Sequence, residues 1–93
     1  MKILIIQVTN SNLSQIKWSE YIQSLCSIIS ENVTGIIFYG SSMPTHTRQL
    51  IVWIVEYDSA NENQLLIDLE KTEVKYLRKS IVLRKCATSM TFA

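Results

Sequence analysis

Four apolar runs and two stretches of helical spacing alternate along the chain. Ile3-Leu4-Ile5-Ile6-Gln7-Val8 and Leu50-Ile51-Val52-Trp53-Ile54-Val55 are almost continuously hydrophobic, Ile36-Ile37-Phe38-Tyr39 is shorter, and Ile81-Val82-Leu83-Arg84-Lys85-Cys86 is mixed. A strand buried on both faces tends to read as a continuous run, and an edge strand does not need to. The first and third strands are therefore expected at the centre of a sheet and the second and fourth at its edges. The order strand, helix, strand, strand, helix, strand then fits a sheet with strand order 4-1-3-2.

The first helix is expected to start near Leu13 or Ser14, capped by Ser11 or Asn12. Its inward stripe is Trp18, Ile22, Leu25 and Ile29, widened by Tyr21, Cys26 and Ile28, as packing on a sheet requires. Gly35 is suited to the positive φ that ends a helix. The second strand runs from about Ile36 to Tyr39, or on to Met43, and the third from Gln49 to Tyr57. Ser59-Ala60-Asn61-Glu62 fits a capping box, and the second helix buries Leu65, Leu66 and Leu69. Val74, Tyr76 and Leu77 fit a last helical turn, a short strand or a loop. The fourth strand begins near Ser80, and Cys86, Thr88, Met90 and Phe92 share one parity beyond it. The tail 87–93 is thus either extended, as a strand to add to another sheet edge, or frayed.

The fold class that follows is α+β: a ferredoxin-like βαββαβ sandwich, a four-stranded antiparallel sheet with two helices on one face. Ninety-three residues make a single domain, 1–93. The hydrophobic fraction of 47% excludes a disordered chain. No apolar run is long enough to span a membrane, and Gln7, Asn10 and Asn12 interrupt the N-terminal run too early for a signal peptide, so a cytoplasmic protein is expected. Cys26 and Cys86 read as two buried free thiols, and with His46 they do not complete a zinc set. The sequon Asn32-Val33-Thr34 reads as chance without a secretion signal.

Net charge is +1 but polarised. Residues 1–73 hold all eight acids and four bases, whereas Lys75, Arg78, Lys79, Arg84 and Lys85 lie after them with no acid. A solvated edge strand whose bases discourage edge-to-edge pairing is the leading reading; an anion-facing patch for nucleic acid is the other.

Candidate chemistry is sparse. His46, the one histidine, sits in a polar loop with Ser41, Ser42, Thr45, Thr47 and Arg48. A nucleophile–base pair there would need a third, orienting group, so the loop reads as a partner- or anion-contacting loop instead. Glu56, Asp58 and Glu62 read as a strand end meeting a capped helix start rather than a carboxylate pair, and Asp68, Glu70 and Glu73 as the wet face of the second helix. No catalytic residue, cofactor site or metal site is assigned. Two glycines, Gly35 and Gly40, exclude a phosphate-binding glycine loop. Tyr39 and Trp53, with Met90 and Phe92 of the tail, are interface candidates, although an aromatic in a run as dense as that around Trp53 belongs more often to a core.

The continuous central strands place apolar residues on both sheet faces: Ile3 and Ile5 opposite Leu4 and Ile6 in the first strand, and Ile51, Trp53 and Val55 opposite Val52 and Ile54 in the third. Two helices cover one face. An uncovered apolar face marks a partner surface. The leading expectation is a non-catalytic protein-binding or inhibitory module that covers a partner, as immunity proteins, antitoxins and inhibitors of defence systems do, or a homodimer through the sheet face or an edge strand. The element order also resembles that of ACT-type regulatory domains, which bind amino acids at dimer interfaces; their glycine at the first loop is Asn10-Ser11-Asn12 here. That resemblance implies a small-molecule-sensing domain. The third alternative is a nucleic-acid-binding protein or small ribonuclease using the five late bases, although Asn10 stands where related metal-dependent nucleases carry Asp.

Overall fold

The computed structural model describes residues 2–10, 13–42, 49–76 and 80–86. Its elements run β1 (Lys2–Asn10), α1 (Gln15–Asn32), β2 (Gly35–Ser41), β3 (Gln49–Tyr57), a 3-10 turn (Ser59–Asn61), α2 (Glu62–Lys75) and β4 (Ile81–Cys86). The sheet order is β2-β3-β1-β4, every pairing antiparallel. The continuous runs are central and the mixed runs are at the edges, so the ferredoxin-like α+β sandwich is the observed fold. The Cα positions extend only 18 Å along the shortest axis, which is two layers deep.

Nine consecutive residues of β1 pair with nine of β3, Lys2 with Tyr57 through Asn10 with Gln49. Alternation along these strands sends Leu4, Ile6 and Val8, and Ile51, Trp53, Val55 and Tyr57, toward the helices. Trp18, Tyr21, Ile22, Leu25 and Ile29 of α1 and Leu65 and Leu69 of α2 complete the core. Leu66, expected in that core, is half-buried at its margin beside α2 and β4.

The helix ends differ from expectation in instructive ways. Ser14, not Ser11 or Asn12, caps α1: its Oγ accepts from the Lys17 amide at 3.3 Å. Asn10 has the task of anchoring the preceding turn. Its Oδ1 accepts from the Leu13 amide at 2.8 Å and its Nδ2 donates to the Leu13 carbonyl at 3.1 Å. Gly35 does not end α1, because the helix stops two residues earlier with Val33 at its cap, and Gly35 opens β2. The Ser59–Glu62 capping box does not form. Asp58 accepts from the Ala60 amide and starts a 3-10 turn, which displaces the α-helix start to Glu62. Helix α2 continues to Lys75, so Val74 is helical and Tyr76 forms the turn that follows; Leu77 lies outside the described residues.

Helix α2 is also less wet than its sequence implies. Asn32 Nδ2 donates to Asp68 Oδ2 at 3.3 Å and to the Ile28 carbonyl at 2.8 Å, tying α1 to α2. The Asn32 amide is thereby buried and engaged. Glu73 accepts from the Ile81 amide at 2.9 Å and joins α2 to the start of β4. Only Glu70 of the three acids is purely solvent-facing.

Leu25 and Leu65 are fully buried on opposite helices. Truncating either to alanine leaves a cavity, so Leu25→Ala and Leu65→Ala should each lower unfolding free energy by about 2–5 kcal/mol, read from urea denaturation midpoints.

Candidate functional site

The face of the sheet turned away from the helices carries Ile3, Ile5, Gln7 and Thr9 of β1 and Leu50, Val52, Ile54 and Glu56 of β3. These alternate strictly with the buried positions. Strand β2 adds Phe38 and Gly40, paired with Ile54 and Val52, and β4 adds Val82, Arg84 and Cys86, paired with Gln7, Ile5 and Ile3. No element among the described residues crosses this face. Its centre is aliphatic, and its polar and charged positions are few.

Phe38 is the aromatic element of the face, and it remains half exposed at 51%. Its ring lies over Gly40: a Cβ there would stand 2.7 Å from Phe38 Cζ. Glycine at 40 therefore lets the ring lie flat along its own strand. Beside it is a shallow hollow of about 310 Å³ lined by Phe38, Gly40, Ser41, Ser42, Leu50 and Val52. Sequence reasoning did not single out Phe38; the signal was the Phe-x-Gly spacing, which puts the two residues on one strand face.

Both sheet edges are blunted. β2 carries an irregularity between Ile36 and Phe38, where Ile37 interrupts the register. Such a bulge twists an edge away from pairing. On the other edge Glu73 occupies the Ile81 amide, and Arg84 and Lys85 add charge.

The interface expectation for Trp53 is corrected. It lies on the helix side of β3, 1% exposed, because its parity matches Ile51 and Val55. Tyr39 stands next to it on the same side, with ring centroids 5.4 Å apart, at the rim rather than on the open face. Met90 and Phe92 lie outside the described residues, as do Thr45, His46, Arg48, Arg78 and Lys79. Ser41 is exposed at the end of β2. Ser42 closes the hairpin: its amide donates to the Leu50 carbonyl at 2.8 Å and its Oγ accepts from the Leu50 amide at 2.9 Å.

The described late bases do not share a surface. Arg84 projects on the open face and Lys85 on the helix side, while Lys75 ends α2 with its Nζ 5.8 Å from the Tyr76 ring centroid. The acids are likewise dispersed. Glu56 is on the open face, Asp58 caps the 3-10 turn, and Glu62 lies in a polar cluster at the opposite side. Glu62 Oε1 accepts from Tyr57 Oη at 2.8 Å and stands 3.1 Å from Lys85 Nζ and 3.8 Å from Lys2 Nζ. These contacts tie α2 to β3, β4 and β1. Among the described residues no three metal-ligating side chains come together. Cys26 and Cys86 are both free thiols, and burial pushes the Cys26 thiol up.

No protein-family model and no curated protein matches the chain. Solved structures do. The chain is similar to SnoaB, a cofactor-independent oxygenase from Streptomyces nogalater, with a TM-score of 0.62 and 7% identity over 98% of this chain and 95% of that one. A dimeric ferredoxin-like protein from Thermobifida fusca gives 0.59 and 11% over 94% and 91%. The ACT domain of GTP pyrophosphokinase from Chlorobium tepidum gives 0.55 and 9% over 92% and 100%. These likenesses establish the ferredoxin-like fold. Among the described residues no helix is long and apolar enough to cross a membrane.

The Glu62 cluster sets a pH dependence. The Tyr57 hydrogen bond, then Lys85, holds the Glu62 carboxyl below its ordinary value of 4.5, and burial opposes them. A depressed carboxyl adds stability above its unfolded value and loses it as pH falls through the folded one. The melting-temperature gap between wild type and Glu62→Gln should be open at neutral pH and close on acidification below the ordinary glutamate range. Tyr57, pushed up to about 12 by burial and by Glu62, works at the other end: stability should fall as pH rises from the ordinary tyrosine range toward that value.

Proposed function

We propose that this chain is a non-catalytic protein-binding module whose working surface is the open sheet face, and that the protein covering that face is a second copy of the chain. The observation that carries the reading is a two-layer fold whose second sheet face is aliphatic at its centre, from Ile3 and Ile5 across to Val52, Ile54 and Phe38. Contiguous apolar surface of this kind draws a partner because its burial releases structured water. The blunted edges turn association away from strand addition and toward the face. A dimeric protein among the fold's solved examples supports self-association as something the fold accommodates.

An inhibitor-type role, in which the same face closes over a different protein, draws on the same chemistry. The dispersed positions of Lys75, Arg84 and Lys85 do not favour nucleic acid, which rewards a continuous basic stripe. The neighbours include an oxygenase and a regulatory domain, and a shared fold transfers neither activity.

Light-scattering mass after gel filtration tests the reading. The expected mass is twice the 10.7 kDa of one chain at about 10 µM, with a melting temperature that rises with concentration. Phe38→Thr combined with Ile54→Thr keeps β-compatible residues on the face while removing its apolar bulk. That variant should run as a folded monomer with unchanged far-ultraviolet circular dichroism. A wild-type chain that stays monomeric at tenfold higher concentration overturns self-association.

A further inference from the structure

The charges on the open face suit a particular two-fold arrangement of two chains, an inference that rests on the self-association proposed above. Three rows of residues cross the face from β4 through β1 and β3 to β2: Val82–Gln7–Val52–Gly40, Arg84–Ile5–Ile54–Phe38 and Cys86–Ile3–Glu56–Gly35. Within them lie one cation and one anion, Arg84 and Glu56. They sit on opposite sides of β1, one row apart, and the midpoint between them falls on β1 between Ile3 and Ile5. Among the described residues neither side chain enters an ion pair, whereas Lys2, Lys17 and Lys85 do.

Two sheets that pack face to face about a two-fold axis have that axis in the plane between them. If the axis passes over the midpoint at right angles to the line joining Arg84 and Glu56, it exchanges the two positions. We infer that the partner on the open face is a second copy placed in this way, with Arg84 of each protomer over Glu56 of the other. Strand and residue spacings put the two charges about 10 Å apart across the strands and about 7 Å along them. The axis is then inclined by roughly 35° to the strands, and the strands of the two sheets cross at roughly 70°, near the orthogonal class of sheet packing. Packed sheets stand about 10 Å apart, a gap that an arginine and a glutamate extended toward each other can bridge.

The same axis runs over the aliphatic centre. Ile3, Ile5 and Val52 lie beside it, so each meets its own copy or a close neighbour across the interface, with the two ion pairs flanking them. An isologous contact of this kind is self-complementary in shape and charge. The aliphatic residues supply the association and the charge pairs set the register, since like charges brought face to face are strongly disfavoured.

Charge exchange tests it. Arg84→Glu sets two acids against each other at both flanks, and Glu56→Arg sets two bases. Each variant alone should dimerise roughly a hundredfold more weakly than wild type, with unchanged circular dichroism. Mixed in equal amounts, the two should form a heterodimer of near wild-type affinity, because both flanks again pair opposite charges. The double variant Arg84→Glu/Glu56→Arg should likewise recover the homodimer. A wild-type dimer whose affinity neither single variant changes, or single variants that weaken the dimer without mutual rescue, overturns this register and leaves face association standing. A wild-type monomer overturns the association itself, and the register with it.

Discussion

The pairing of β1 with β3 is the constraint on which the rest of the molecule depends. Nine residues of each strand run antiparallel without interruption. Their side chains must alternate between two faces. A slip of one residue would exchange Trp53, Val55 and Tyr57 with Val52, Ile54 and Glu56, putting a carboxylate under the helices. The register holds because one face matches α1 and α2 and the other does not. The two inward aromatics are large, Trp53 against Ile6 and Tyr57 against Lys2 at the sheet end. Tyr57 also carries the hydroxyl that meets Glu62. The helices are fixed to this pair by hydrophobic burial at the centre and by hydrogen bonds at the ends, Asn10 beneath the entry to α1 and Glu62 at the start of α2, while Glu73 at its exit holds β4.

Much of this was legible in the sequence because the strand signal is strong when a strand is buried on both faces. The runs at Ile3 and Leu50 marked the central pair, and the spacing of Trp18, Ile22, Leu25 and Ile29 marked the inner side of α1. What the sequence did not yield was capping and parity. Ser11 and Asn12 read as the caps of α1 because both are cap-type residues before the apolar stripe, yet Ser14, read as a helix start, holds the cap position, with Asn10 bonded to Leu13 just before it. Ser59 and Glu62 match a capping pattern, but Tyr57 and Lys85 draw the Glu62 carboxylate away from it, and Lys85 comes from a strand distant in the chain. Trp53 was ambiguous for a related reason. In a run that is apolar at every position, alternation does not say which half faces the helices. The register with β1 and the positions of the helices decide that together.

The candidate surface has the same origin. Phe38 was invisible as a candidate because β2 looks like an ordinary edge run, and its facing is set by the irregularity at Ile37. Without that break, Phe38 would share the parity of Ile36, which pairs with Val55 on the helix side. The bulge thus does two things at once. It blunts an edge against strand addition, and it turns an aromatic onto the open face, where Gly40 gives the ring room to lie down.

The self-association proposed for this face would also account for where the chain keeps its charge. A sheet face open to water ordinarily alternates polar residues with the buried set. Here Gln7, Thr9, Glu56 and Arg84 are the polar positions; Gln7 pairs with Val52 and Glu56 with Ile3, and Ile3, Ile5, Ile54 and Val52 remain contiguous between them. Solubility alone would be served by lysines anywhere on the face. Instead the bases of β4 are divided, with Lys85 turned to the helix side and held by Glu62. Arg84 is left facing outward beside the aliphatic centre, across β1 from Glu56 and one row away. An arginine flanking an apolar patch is weakly hydrated and well suited to a partly buried carboxylate. A face arranged in this way penalises a partner that lacks the matching acid, and a second copy of the same chain necessarily has it.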